Sequence, residues 1–306
     1  MTIFQRLRRL IPTGQARGKP VRIVTDSTAD LPPELAQELG ITVIPLQVIF
    51  GEEAFRDGVD LTSEEFFRRL QESTDLPTTS QPSVGEFQHV YEELAAETDQ
   101  ILSIHLSSGF SGTVETARRA ALALAGRCQI EVIDSRAVSM SIGFAAIAAA
   151  RAAREGGNLE TCAEAARSVL RRQRLTVALD TLEYLRRGGR IGRAQAFLGG
   201  ILRLKPILTI RDGEAYPLAR VRTHRKALEE LLRISLEHGR VVEAAVMHAS
   251  NPEDASLVAE ELGRRCPGIP IQIGAIGPVI GVHGGPGVIG LVVVIAEEPL
   301  EAEAAT

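Results

Sequence analysis

Hydrophobic and polar positions follow two rhythms along the chain. Short apolar runs bounded by Gly, Pro, Asp or Ser read as strands, and longer runs with apolar residues three and four apart read as helices. The first half alternates between them. Val21 to Thr25, Ile41 to Phe50, Ile101 to Leu106 and Ile130 to Ile133 are the apolar runs. Between them, Leu31-Pro32-Pro33 opens a helix that Gly40 closes, because Pro suits a helix start and Gly a helix end. Gly51 to Leu61 reads as a polar loop. Thr62-Ser63-Glu64-Glu65 is a capping sequence for a helix over Phe66 to Gln71, and Ser83 caps another over Glu86 to Ala95. A further helix spans Val114 to Ala125. Strands alternating with helices over residues 21–135 predict an α/β fold, a mainly parallel sheet with helices on both faces.

Met140 to Glu155 is an Ala-rich helix suited to close packing, broken by Gly156-Gly157 and followed by a helix over Leu159 to Arg172. This pair is the crossover into a second domain. There, strand Leu175 to Leu179 leads into a basic turn, Leu185-Arg186-Arg187-Gly188-Gly189-Arg190-Ile191. An apolar helix is expected over Ala194 to Leu204, then a hairpin turning at Asp212-Gly213. Arg222-Thr223 begins the helix Lys226 to Leu236, and strand Val242 to His248 precedes the helix Ala255 to Arg265. Strand Ile269 to Ile276, the glycine-rich stretch Gly277 to Gly287 and strand Val288 to Ala296 complete the pattern. The expected division is a tail at 1–20, one α/β domain at 21–156, a second at 157–297 and a tail at 298–306.

Composition narrows the class. The chain has 306 residues, 44% hydrophobic and 4% aromatic with no Trp, so its cores are aliphatic. Its net charge of -5 argues against nucleic acid as a partner. No apolar run reaches membrane-spanning length. The basic N-terminal tail lacks the continuous apolar core of a secretory signal; it reads as a frayed end, with transient membrane contact as the minority reading. Cys128, Cys162 and Cys266 are scattered and form no CxxC, which fits the cytoplasm and argues against a zinc site. The six histidines show no metal-ligand spacing.

Candidate chemistry centres on Ile101 to Thr113, ILSIHLSSGFSGT: a strand, a Gly/Ser loop, then a helix. That layout aims N–H groups and hydroxyls at an anion, a carboxylate or phosphate. The competing reading is a plain helix cap. Asp26-Ser27, Thr79-Ser80, Ser107-Ser108 and Asp134-Ser135 all fall after strands or in adjoining loops, where parallel sheets bind ligands. His283 stands among Gly281, Gly284, Gly285 and Gly287, on backbone that can approach a ligand closely. Arg190 reads either as a site residue or as a surface cation, and His105 as structural.

In order along the chain, VTDSTADLP (24–32), PTTSQPSVGEF (77–87), HLSSGFSGT (105–113), VIDS (132–135), LRRGGRIG (185–192), LKPIL (204–208), ARVRT (219–223) and IGPVIGVHGGPGVIG (276–290) resemble the motifs of the DegV family, bacterial fatty-acid-binding proteins. The resemblance implies two α/β domains, the second with a mixed sheet, and a buried long-chain fatty acid of the palmitate, stearate or oleate class. It implies a carboxylate held by Thr79, Ser108, Arg190 and His283, with Thr78, Ser80, Ser107 and Gly109 as the supporting loop. Phe110 stands where an aliphatic residue is common, which bears on the shape of the tail site. No cofactor or metal is implied. Family members resemble the acyl-carrying subunit of a two-part fatty acid kinase, so the expected partner is an ATP-binding kinase subunit, with the chain itself a non-enzymatic, monomeric carrier. The physics agrees, since a carboxylate leaving water needs a cation and several donors.

Two other readings compete. A serine-dependent acyl ester hydrolase would use Ser108 and His283, but no GxSxG elbow is present. A nucleotide or phosphate enzyme would need a GxxxxGK[ST] or a GxGxxG after the first strand, and neither occurs.

Overall fold

The computed structural model describes residues 19–198 and 204–297. Residues 1–18 of the expected N-terminal tail, the expected C-terminal tail, and residues 199–203 of the helix expected over Ala194 to Leu204 lie outside the described residues. The first-half strands are β1 (Arg22–Asp26), β2 (Ile41–Ile44), β3 (Gln47–Phe50), β4 (Glu53–Arg56), β5 (Thr78–Ser80), β6 (Gln100–His105) and β7 (Gln129–Asp134). The second-half strands are β8 (Gln173–Ala178), β9 (Lys205–Arg211), β10 (Glu214–Val221), β11 (Val241–His248), β12 (Ile271–Ala275) and β13 (Ile289–Ile295). The helices are α1 (Pro33–Leu39), α2 (Ser63–Glu72), α3 (Val84–Glu97), α4 (Thr113–Leu122), α5 (Met140–Arg154), α6 (Leu159–Arg172), α7 (Glu183–Arg187), α8 (His224–Ser235), α9 (Pro252–Arg265) and α10 (Pro278–Gly284).

The first sheet has the order β2-β1-β6-β7 and is parallel throughout. Helices α3 and α4 cover one face, where Phe87, Tyr91, Ala117 and Ala120 pack on Val24 and Ile101. Helices α5 and α6 cover the other. The second sheet is mixed, in the order β10-β9-β8-β13-β11-β12. Its outer face is covered by α8 and α9. Helix α5 is apolar almost all round and touches β1, β2 and β6 of one sheet and β8 of the other, as a fully buried helix should. One continuous core therefore runs from sheet to sheet.

Three expectations need correction. The single strand over Ile41 to Phe50 is two strands in different sheets, because Pro45 has no N–H to donate to a ladder. The polar loop over Gly51 to Leu61 contains β4, which pairs with β3 in a three-stranded antiparallel sheet completed by β5. The glycine-rich stretch after Ile276 contains α10, started by Pro278. Over the apolar segment after Ile191, the described residues form a short 3-10 turn at Gly192–Phe197.

Two cross-links fix the halves against each other. In the first, Asp212 and Gly213 take φ of 53° and 82°, a two-residue hairpin turn. The Gly213 carbonyl accepts from Ser107 Oγ at 2.7 Å. A Cβ on Gly109 would meet that same carbonyl oxygen at 2.5 Å, so only glycine fits there.

In the second, buried Asp30 accepts from the Gly277 N–H at 2.8 Å, just before α10. Its other oxygen accepts from Ser139 Oγ. Ser139 has φ 56° and ψ -148°, a strained conformation that costs about 1–3 kcal/mol and persists only when neighbours over-determine it. Here Asp30 and the Thr28 carbonyl hold it. Burial pushes the Asp30 carboxyl up to about 7, against the pull of Ser139 and Gly277, and Asp57 and Asp26 add to the rise. Burial likewise pushes nearby Asp57 up to about 6, against Ser27 and the Val279 N–H.

Each cross-link can be tested by substitution. Gly109→Ala lowers stability by about 1–3 kcal/mol through the clash with Gly213, read as a lower urea midpoint; an unchanged midpoint would show that the loop and hairpin do not need this close approach. Asp30 binds its proton more tightly folded than unfolded, so its stabilising contribution is full below its ordinary 3.8 and is lost as pH rises toward about 7. Asp30→Asn keeps an acceptor for Gly277 and removes that slope. Relative to the parent, its stability rises by on the order of 1 kcal/mol per pH unit across this window. Urea titrations at stepped pH test it, and parallel profiles for the two proteins would refute it.

Candidate functional site

The site is assembled from three elements. Strand β5 presents Thr79, half-buried. Helix α10 lies close on α2: a Cβ on Gly281 would meet Phe66 at 2.5 Å and Phe67 at 2.9 Å. This close approach carries His283 to β5, where His283 Nε2 and Thr79 Oγ1 are 3.0 Å apart. The turn after α7 packs on the opposite side of the imidazole, and a Cβ on Gly188 would meet His283 Nδ1 at 2.3 Å. The next turn residue but one is Arg190. Its Nε donates to the Phe110 carbonyl at 3.1 Å and its Nη1 to the Gly188 carbonyl at 2.7 Å. No hydrogen-bond partner for Nη2 occurs among the described residues.

Burial, with a smaller contribution from the Arg190 charge, pushes His283 down to about 4. At neutral pH it is therefore a neutral imidazole, donor at one nitrogen and acceptor at the other. Its Nδ1 is buried without a partner among the described residues, a condition that buried polar atoms rarely tolerate.

These side chains open onto a cavity of about 370 Å³. Thr79, Ser80, Gln81, Ser111, Arg190 and His283 form its polar wall. Apart from Ser139 the rest is apolar, and Arg190 is the one charged side chain on the wall among the described residues. Leu175, Val177 and Leu179 line it from one face of β8 and the residue that follows it, at the two-residue period of a strand. Leu208 and Ile210 of β9, Met247 of β11 and Gly290 of β13 continue that wall, while Leu46, Val138 and Val279 close it from the other side. A neutral imidazole, hydroxyls and a guanidinium at the polar wall of an apolar chamber suit an amphiphile with an anionic head.

The serine loop is placed differently from expectation. Ser108 is exposed, and its hydroxyl donates to Asp134 Oδ2 at 2.6 Å. It does not line the cavity, so the structure does not bring it to Thr79, Arg190 and His283. Ser107 is buried on Gly213, and Gly109 is committed to that same approach. Thr78 is exposed, whereas Ser80 reaches the cavity. The loop contributes Ser111 and Phe110 instead. The helix-cap alternative is met in part: Gly112 has no side chain to cap α4, but Ser111 Oγ accepts from the N–H of Thr113, the first residue of the helix, at 3.3 Å. Sequence reasoning missed Ser111 and Gln81; the signal for Gln81 was its place in the same proline-fenced segment as Thr79.

His105 serves a separate buried network. Its Nδ1 lies 2.9 Å from Asp26 Oδ2 and its Nε2 2.7 Å from Ser103 Oγ, which accepts from Tyr91. Every partner is satisfied within the first sheet and its helices. Among the described residues no group of side chains could hold a metal ion, and no helix is long and apolar enough to cross a membrane.

Comparison with known proteins places this geometry. The sequence profile of the DegV family, described as uncharacterised proteins, matches residues 20–296. A DegV domain-containing protein of Halalkalibacterium halodurans is 40% identical over 277 residues, covering 89% of this chain and 97% of the relative. Among solved structures, a DegV family protein from Thermus thermophilus, described for its fatty acid binding, superposes with a TM-score of 0.84 at 35% identity, over 90% of this chain and 100% of that one. DegV from Bacillus subtilis, described as a fatty acid binding protein, gives a TM-score of 0.83 at 36% identity, over 91% and 100%. With an α/β fold of one parallel and one mixed sheet shared along nearly its whole length and a family profile spanning both sheets, this chain belongs to the DegV family.

Proposed function

We propose that this protein is a carrier that binds one long-chain fatty acid, of the palmitate, stearate or oleate class, in the cavity between its two sheets. The observation that carries this reading is the apolar chamber whose one charged wall residue among those described, Arg190, stands beside a half-buried neutral His283 bonded to Thr79. Arg190 supplies the counter-charge, and Thr79, Ser111 and the imidazole supply further polar contacts to the carboxylate. Ser111 takes the part first expected of Ser108. The acyl tail lies along the inner face of β8, where burial contributes about 0.8 kcal/mol per methylene. The likeness to fatty-acid-binding DegV proteins supports the ligand class.

The chain has no chemistry of its own in this reading. It presents the bound carboxylate to a separate ATP-binding kinase subunit, which makes an acyl phosphate for phospholipid synthesis. It acts in the cytoplasm as a monomer, with one unit at 21–156 and the other at 157–297. The hydrolase reading lacks its central hydrogen bond, because the Ser108 hydroxyl is taken by Asp134 rather than by a histidine.

Native mass spectrometry of the purified protein, followed by solvent extraction, is expected to recover about one long-chain acid per chain. Arg190→Ala weakens binding of added palmitate by about 10–100-fold, the scale set by removing a partly exposed guanidinium from its pairing with a carboxylate. Ser108→Ala leaves it unchanged. A protein that neither retains nor takes up any fatty acid sinks the reading. Turnover of p-nitrophenyl esters abolished by Ser108→Ala would replace it with the hydrolase.

A further inference from the structure

The inner wall of the cavity has a weak seam. Strands β8 and β9 are paired over only two rungs, Val177 with Leu208 and Ala178 with Ile207. On the far side of these rungs the pairing is continued by the Leu179 N–H on the Pro206 carbonyl. In the other direction it stops. The register would next set Thr176 against Thr209 and then Leu175 against Ile210, yet no pairing joins them. Beyond this unpaired stretch the hairpin tip is held instead by the other half, where Ser107 bonds Gly213, three residues past Ile210.

Leu175 and Ile210 fill the gap. Both line the 370 Å³ cavity. Both also line a second space, a groove of about 660 Å³ whose wall includes Arg174, Arg211 and Glu230. Leu175 is paired on its other side with Val292 and Ile210 with Ala215, but no ladder joins the two to each other; lining both spaces, they are the partition between the chamber and the outside. They also stand at the end of the tail's course. Leu175 and Leu179, the residue just after β8, are four positions apart, about 13 Å at strand rise, and the Leu179 end is the one toward α10 and His283, since neighbouring Ala178 pairs with Ile289, five residues past Gly284.

Building on the carrier reading, we infer that Leu175 and Ile210 form a stopper across a splayed strand seam, and that this pair sets the longest acyl chain the protein accepts. The methyl end of the longest acid that fits abuts these two side chains. Each further methylene would have to displace them, and a single methylene too many in an apolar pocket costs about 10-fold or more in affinity. Shortening either residue opens the seam toward the groove; enlarging one moves the stop inward.

The test is a competition among saturated acids graded from medium to very long chain, offered together to the full-length protein and read by native mass spectrometry and extraction. Ile210→Ala removes three side-chain carbons, and the upper length limit is expected to move up by about that number. Ile210→Phe moves it down, and Leu175→Ala repeats the upward shift from the other strand. The Phe variant keeps the chamber closed, so the inference stays testable if an Ala variant folds poorly. Variants that retain bound acid with the parent's length limit would overturn the inference and leave the carrier reading standing. A parent protein that binds no acid of any length would overturn both.

Discussion

A cation beside an apolar chamber must be held without a counter-ion until its ligand arrives, and the surrounding structure is arranged around that demand. Arg190 is tethered through backbone carbonyls rather than through a carboxylate. One of those carbonyls, at Phe110, belongs to the first half of the chain. Neutral acceptors keep the guanidinium in place and leave its charge available. The neighbouring imidazole adapts to the same charge: burial and Arg190 together keep it neutral, so the wall does not carry two positive groups side by side.

The position of that imidazole depends on carboxylates more remote from the chamber. Helix α10 is short and cannot hold its own orientation. It is fixed at its start by Asp30 on the Gly277 N–H and along its side by Phe66 and Phe67. Asp30 in turn anchors Ser139, a strained residue that lines the chamber. These acids thus shape the site without lining it themselves, and their raised affinity for protons is the cost of standing in dry surroundings.

Much of this was legible in the sequence. Alternating apolar runs and helix patterns gave the parallel sheet; Asp212-Gly213 gave the hairpin; Thr62 and Ser83 gave two helix starts, each cap bonded as expected. That Thr79, Arg190 and His283 meet at one cavity was suggested by the resemblance and not by their spacing. What misled was chemistry that serves packing. Ser107 and Gly109 resemble an anion loop because a loop that docks on a backbone carbonyl also needs hydroxyls and a missing Cβ. Ser108 and Ser111 differ by three positions, and local pattern does not reveal which faces inward. Asp57 and Gly277 gain their meaning only from the approach of distant parts of the chain.

The apolar core is continuous from one sheet through helix α5 to the other, and the chamber is an interruption in it. An unfilled interior void forfeits dispersion contacts on every side. In the proposed carrier, an acyl chain lodged there would complete the core as a side chain does and would stabilise the fold by mass action. Such a cargo would be a structural component. Surrender of the lipid and loosening of the fold would become one event, so the amount of intact protein in a cell would follow its lipid supply.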